Sequence, residues 1–338
     1  MNKNLIQRRK FKYYLINSIS LIIPRLFFRM KMKYELKKVN NYDSRRLRSR
    51  VNYYNKIVEN FQLSEDAINI DTLFNLQIEK FIDKIFKKKK IKKRTTYFFD
   101  LYNHLSYFPS FLKVHFKFGD ITERFAKPII VKSRPINDNK NSVIMKLNEV
   151  RHFYFLKDNI TFHEKKNMAV WRGNSNNSKE RLKFIKNYYN VSIFDIGQHN
   201  PKVNEPWFKG YMPIYKQLNY KFIFCIEGAD TATNIKWVMS SNSLCVMPKP
   251  KYETWFMEGT LVKDFHYIEV ENDFSNAERK IHFYMKNIDK CLKIIENANR
   301  YTEQFKDPKL EKLISLLVLD KFFKKSNQKI EYEKKDYN

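Results

Sequence analysis

Residues 221–251 read KFIFCIEGADTATNIKWVMSSNSLCVMPKPK, and this stretch decides the fold. Residues 222–226 form a short apolar run suited to a strand buried on both faces. Glu227 and Gly228 break it, and glycine gives the backbone freedom to turn. Residues 231–239 place Ile235, Val238 and Met239 at helical spacing, which predicts a helix. Residues 244–247 form a second buried-strand run, stopped by Pro248 and Pro250. A strand, turn, helix and strand in this order leave a helix start facing the carboxyl ends of parallel strands. Such an end suits an anionic ligand. An α/β core unit that binds nothing has the same pattern.

The chain has 338 residues, enough for two domains. Hydrophobic content of 43% excludes a disordered chain. The 65 Lys and Arg outweigh 36 Asp and Glu, a net charge of +29. A field of that sign selects anionic partners: nucleic acid, acidic lipid surfaces or phosphorylated substrates. Cys225, Cys245 and Cys291 are widely spaced. An odd count without short spacing argues against a disulfide framework and a zinc site, and fits a reducing, cytoplasmic setting.

Residues 1–50 mix basic and apolar residues. Arg8, Arg9, Lys10 and Lys12 precede an apolar run that Pro24 and Arg25 interrupt, so it is too short to span a bilayer. It reads as a basic amphipathic segment facing an anionic membrane, or as helices docked on the domain. Residues 51–94 look helical, with Phe74, Ile78, Phe81, Ile82 and Ile85 at three- and four-residue steps, and end in a lysine run at 87–94. From Tyr97 the pattern turns α/β, with strands expected at 114–118, 128–131, 143–147 and 152–156. Residues 157–166 read as a linker.

A second α/β set starts at 169–171, and Asn177 with Glu180 resembles a capping box. Strands are expected at 192–196 and 266–270, and a short helix at 211–218. Ser275 and Glu278 form another capping box, and residues 310–323 read as an amphipathic helix before a charged tail. Four of the six glycines, Gly119, Gly173, Gly197 and Gly228, follow strand candidates, where an open α/β sheet builds its ligand crevice.

Two anion cradles stand out. In the first, Arg172, Gly173 and Asn174 end a strand, and Arg181 sits on the first turns of the next helix; both arginines present forked donors to phosphate oxygens. In the second, Glu227 and Gly228 lead to Thr231, Thr233, Asn234 and Lys236 near one helix start. Two cradles in one α/β domain suit a diphosphate such as a nucleotide sugar. Each cation alone reads equally as a surface charge. Neither loop is a Walker loop or a GxGxxG fingerprint. No Asp-x-Asp pair occurs, so the paired oxygen ligands that hold a diphosphate through Mg or Mn are missing, and cations must serve instead.

The segment 171–273 resembles glycosyltransferase family 90. That family includes bacterial lipopolysaccharide-core glycosyltransferases, capsule-associated fungal proteins and Rumi-like protein O-glucosyltransferases. The resemblance rests on AVWRGN at 169–174 with Glu180 and Arg181, on 222–259, and on HYIEVENDFSN at 266–276. FGDIT at 118–122 and VKSRPI at 131–136 look like the bacterial branch. The resemblance implies a GT-B architecture: two facing Rossmann-like domains, here with extra N-terminal helices. Together with the residue patterns, this reading divides the chain into a basic amphipathic membrane-facing segment (1–50), an acceptor-side domain (51–160), a UDP-sugar donor domain (166–305) and a C-terminal helix and charged tail (306–338).

The resemblance also implies an inverting enzyme without metal or other cofactor, moving a hexose such as glucose from a UDP-sugar to a lipopolysaccharide or lipooligosaccharide core. Arg172, Gly173, Asn174 and Arg181 match the family's diphosphate turn, with Asn174 where serine is frequent. Asn234 stands where animal members carry an arginine, and Lys236 matches a nearby lysine. Inversion needs a carboxylate base; Asp120, beside Gly119 at a strand end, is the first candidate and Asp100 the second. Asp120 reads equally as a loop-capping carboxylate. Lys132, Arg134 and Arg151 contact a phosphorylated or acidic acceptor, or pair with nearby carboxylates. The expected setting is cytoplasmic and peripheral on the inner membrane, with no nucleic acid partner. The competing readings are a nucleic-acid-binding protein using the same charge and a non-catalytic membrane-surface protein.

Overall fold

The computed structural model describes residues 3–86, 95–176, 178–200 and 204–330. The lysine run at 87–94 and Asn177 lie outside the described residues. The chain forms two compact units, one of Lys12–Glu149 with Asp307–Asn338 and the other of Met1–Phe11 with Val150–Lys306.

The chain opens with helices α1 (Lys3–Ile22), α2 (Arg25–Lys37) and α3 (Ser44–Tyr54), which from Lys12 on belong to the first unit. Pro24 separates α1 from α2, because it lacks the N–H that would continue the helix. No helix among the described residues is long and apolar enough to cross a membrane. A short strand β1 (Ile68–Asn69) leads into α4 (Ile70–Phe86), and α5 (Thr95–Leu105) follows. The helical reading of 51–94 therefore fails between α3 and α4.

Strand β2 (Lys113–Val114) pairs antiparallel with β1. Strands β3 (Phe116–Lys117), β4 (Ile129–Val131) and β6 (Ser142–Ile144) form a parallel sheet in the order β3-β4-β6, and β5 (Ser133–Pro135) lies between β4 and β6 in sequence. The single strand expected at 114–118 is two short ones.

After β6, helix α6 (Glu149–His152) ends at the first residue of the strand expected at 152–156, and residues 153–156 form no strand. Residues 157–166 are not a linker. The Asp158 carboxylate accepts from Lys165 Nζ at 2.8 Å and from the Asn242 N–H at 3.0 Å, a buried tie inside the second unit.

The second unit holds β7 (Lys166–Gly173), α7 (Lys179–Tyr188), β8 (Phe194–Gln198), α8 (Ile214–Gln217), β9 (Tyr220–Phe224), α9 (Ile235–Met239), β10 (Leu244–Pro248), β11 (Tyr252–Thr254), β12 (Ile268–Val270), α10 (Ala277–Met285) and α11 (Ile288–Glu303). Its sheet runs β12-β10-β9-β7-β8, and every pairing is parallel. Phe222, Ile223 and Phe224 are fully buried, as a central strand covered on both faces requires. Their partners are Leu244, Cys245 and Val246 on β10.

Phe184 on α7 packs its ring 4.6 Å from Phe224 and 4.7 Å from Phe274, which fixes that helix on the sheet. The cap of α7 is Ser178, whose side chain accepts from the Arg181 N–H. Before α10 the expected capping box does not form: Asn276 takes the cap position without a side-chain cap bond, and Ser275 Oγ donates to Asp273.

The last helix, α12 (Pro308–Lys325), belongs to the first unit and starts at Asp307, whose side chain accepts from the Lys309 N–H. It is buried on most sides rather than amphipathic. Even Glu311 is inside, 2.8 Å from Arg50. The sequence pattern gave it one apolar face because charged residues that pair internally look like a solvated face.

Candidate functional site

In chain order the five parallel strands of the second unit are arranged 2-1-3-4-5, a doubly wound order. The chain reverses direction across the sheet between β7 and β9. Ligands bind at the carboxyl ends of the strands flanking that reversal, where the two departing loops separate. Here those loops are Asn174–Asn176 after β7 and Ile226–Asp230 after β9.

Arg181 ties the two loops together. Nη2 donates to the Ile226 carbonyl at 2.7 Å and Nε to the same oxygen at 3.2 Å, while Nη1 donates to the Asn174 carbonyl at 3.0 Å. All three bonds end on main-chain carbonyls, so none cancels the charge. Burial lowers the pKa of the guanidinium; Asp230 and Glu227 pull it back, and neighbouring Arg151 adds to the lowering. Arg151 is exposed. Two cations close together without a carboxylate bonded to Arg181 favour an arriving anion.

Gly228 does not turn the chain through the left-handed region; only Gly119 and Gly210 have such φ values among the described glycines. Its role is space. A Cβ there would lie 3.0 Å from the Arg181 guanidinium carbon, so glycine lets Arg181 lie against the loop. Gly173 is explained differently, since a Cβ there would sit 2.3 Å from the Trp171 ring.

A cavity of about 120 Å³ opens beside the β9 loop, between it and the segments that follow β10 and β12. Gly228, Thr231, Lys249, Lys251, Tyr252 and Asn272 contribute to its wall. The Thr231 hydroxyl is buried and has no hydrogen-bond partner, an unusual cost unless a ligand supplies one. Glu227 also lines the cavity; its Oε1 accepts from the Lys251 and Tyr252 N–H groups at 3.1 and 3.2 Å. Burial, helped by the charge of Glu258 and opposed by those N–H groups and Lys251, pushes its carboxyl up to about 7.

The other cradle residues are engaged in the fold. Arg172 Nη2 lies 2.5 Å from Asp195 Oδ1, and Nη1 donates to the Asp195 carbonyl at 2.6 Å. Burial raises the Asp195 carboxyl, but the Tyr220 hydroxyl and Arg172 outweigh it and hold the group below its ordinary range. Lys236 is fully buried and donates to Glu258 Oε1 at 2.7 Å. Asn234 donates to the Phe224 carbonyl at 2.9 Å, Thr233 is half-buried, and exposed Asn174 accepts from the Asn176 N–H through its side chain. The helix expected over 231–239 shrinks to the five residues of α9, so Thr231 and Thr233 sit on a loop and not on a helix start.

In the first unit, Asp120 follows Gly119, whose φ of +134° only glycine adopts easily. Its side chain is 37% exposed and accepts from buried Lys132 at 2.6 Å. Asp100 is buried; its oxygens accept from the Tyr13 hydroxyl at 2.6 Å and the Glu149 N–H at 2.8 Å. Burial and the nearby Glu149 push its carboxyl up to about 8, against the opposing pull of those two donors and Lys146. Arg134 is fully buried, donating to the carbonyls of Tyr53, Tyr54 and Ser142, so it braces α3 against β6 rather than meeting an acceptor.

Lys249, Lys251, Tyr252 and Asn272 were missed in the sequence. The available signal was the Lys-Pro-Lys-Tyr run directly after a buried strand, at the ligand-binding end of the sheet. Trp255 and Phe256 are fully buried, in line with a packing role.

A model of glycosyl transferase family 90 matches residues 145–317, a span that contains the whole cavity wall. Among characterised proteins, the O-glucosyltransferase LpsA of Dichelobacter nodosus is 34% identical over 322 residues, covering 94% of this chain and 96% of that protein.

Proposed function

The chain belongs to glycosyltransferase family 90, and on that premise we propose that it moves glucose, or a related hexose, from a UDP-sugar to a lipopolysaccharide or lipooligosaccharide core acceptor. The glucosyl part of this reading is supported by the name of the Dichelobacter nodosus relative, and the lipopolysaccharide part comes from the resemblance to the bacterial branch of the family. The observation that carries the donor assignment is Arg181 stretched between the β7 and β9 loops, with its charge uncancelled by any bonded carboxylate.

The donor diphosphate then lies against Arg181 and Arg151, with Lys251 at the cavity edge and the Thr231 hydroxyl donating to a phosphate oxygen. As the glycosidic bond to the diphosphate breaks, negative charge grows on the leaving UDP. Fixed cations stabilise that charge more than they stabilise the bound donor, which lowers the barrier. Asp120 is the proposed base, taking the proton of the acceptor hydroxyl as it attacks the anomeric carbon from the opposite side, so the configuration inverts. The reading includes a GT-B architecture, no requirement for metal, and peripheral association with the inner membrane from the cytoplasmic side.

A screen of UDP-glucose, UDP-galactose, UDP-xylose and their N-acetyl relatives, read by mass spectrometry with purified core acceptor, tests it. UDP-glucose is the expected donor, with full transfer in the presence of EDTA. No transfer or hydrolysis from any UDP-sugar would refute the reading.

A further inference from the structure

Helix α1 is built inside out. Its inward face is polar: Tyr13 donates to Asp100, Asn17 is only 4% exposed and accepts from Asn103 Nδ2 at 2.6 Å, and Ser20 donates to the Asn17 carbonyl and to Asn103. Its outward face is apolar, with Leu15, Ile16, Ile19 and Ile22 exposed at helical spacing and Ile22 at 82%. In water a helix on a folded domain shows the reverse arrangement.

Helix α2 continues the pattern. Its inner side is fixed by Arg25, which bonds Tyr102 and Asp71, and by buried Met32. Its outer side exposes Leu26, Phe27, Met30 (73%) and Tyr34. Arg29, Lys31, Lys33 and Lys37 are exposed among them. Lys31 Nζ sits 4.0 Å from the centre of the Phe27 ring. The acidic residue of this segment, Glu35, is buried and neutralised by Lys38 and Lys312 at 2.6 and 2.7 Å. What remains outside is apolar and cationic.

We propose that the outward row Leu15, Ile16, Ile19, Ile22, Leu26, Phe27 and Met30 inserts into the acyl boundary of an anionic bilayer, while Arg29, Lys31, Lys33 and Lys37 contact its headgroup phosphates. The chemistry matches helices that lie in the interface: an apolar face, a basic polar face and, among the described residues, no helix long and apolar enough to span. Lysine and arginine stems reach past apolar neighbours to keep their charge at the headgroup level. A protein partner would need acidic groups matched to each lysine; an anionic leaflet supplies negative charge at every position. This deepens the peripheral reading above and rests on it only for the identity of the surface. It adds a mode of binding: insertion that survives salt, beyond adsorption that does not.

The test is flotation of the full-length protein with vesicles containing phosphatidylglycerol and with pure phosphatidylcholine vesicles. The wild type is expected to float with the anionic vesicles and to retain part of that binding at about 1 M salt, where screening extends only ~3 Å. Changing Ile19, Ile22, Leu26 and Met30 together to Glu is expected to cut partitioning by about tenfold or more and to abolish the salt-resistant part. Changing Arg29, Lys31 and Lys33 to Gln is expected to remove the preference for anionic vesicles and keep the salt-resistant part. Circular dichroism and UDP affinity establish that each variant is folded, and Ser at the same four positions serves if the Glu variant does not fold.

Wild-type-like flotation of the folded apolar variant would overturn the proposal. So would a lipid-free dimer that this variant dissociates, since the row would then cover a second copy. Flotation needs no donor, so a failed transfer screen leaves this result standing.

Discussion

Replacing Arg181 with Ala removes the cation that spans the β7 and β9 loops. A hydrogen bond to a charged group contributes about 1.5–3 kcal/mol, so losing one phosphate contact should weaken UDP binding by about 10- to 150-fold. The variant also strips two donors from the Ile226 carbonyl and one from the Asn174 carbonyl. That lowers stability by about 1–3 kcal/mol, visible as a lower melting temperature with a folded baseline.

Arg172→Ala is the control. It breaks a partly buried pair with Asp195 and is expected to cost about 3 kcal/mol of stability, yet to change UDP affinity by less than about threefold. Isothermal titration calorimetry with UDP, run beside thermal melts, separates the two. If folded Arg181→Ala binds UDP as the wild type does while Arg172→Ala loses binding, the cation of the site is Arg172 and the assignment here is wrong.

Glu227→Gln tests the raised carboxyl. A group whose folded pKa of about 7 exceeds its unfolded value favours the fold below the unfolded value, and that contribution is lost as pH rises through about 7. The wild type should therefore lose stability relative to Glu227→Gln between about pH 4.5 and 7, and parallel melting curves across that window would contradict the burial argument. Asp120→Asn should abolish transfer and leave UDP affinity unchanged in the same calorimetric assay; near-normal turnover would remove Asp120 as the base. Transfer should survive EDTA, and loss on chelation with rescue by Mn would contradict the cation-based departure of UDP.

Strands β9 and β10 were legible because the unbroken apolar runs 222–226 and 244–247 overlap them, a pattern that burial on both faces imposes. The extent of α9 was not. Thr231, Thr233 and Asn234 precede apolar residues at helical spacing, but their side chains favour turns, and Asn234 bonds back to the Phe224 carbonyl. The roles of the two arginines were also not separable. Arg172 finds its carboxylate on β8, 23 residues away in sequence, and Arg181 does not bond one. Such partners are set by strand order. The outward apolar face of α1 depends in the same way on α5, which supplies Asp100 and Asn103 to its polar side. Arg134 and Lys236 resemble surface cations in a list of residues, and only packing shows that carbonyls and Glu258 hold them inside.

A crystal structure of the protein soaked with UDP measures the central assignment directly. The account predicts diphosphate density between the loops after β7 and β9, with oxygens within hydrogen-bond distance of the Arg181 guanidinium and the Thr231 hydroxyl. Well-ordered nucleotide at any other place on the chain, with Arg181 still bonded only to its carbonyls, would contradict it.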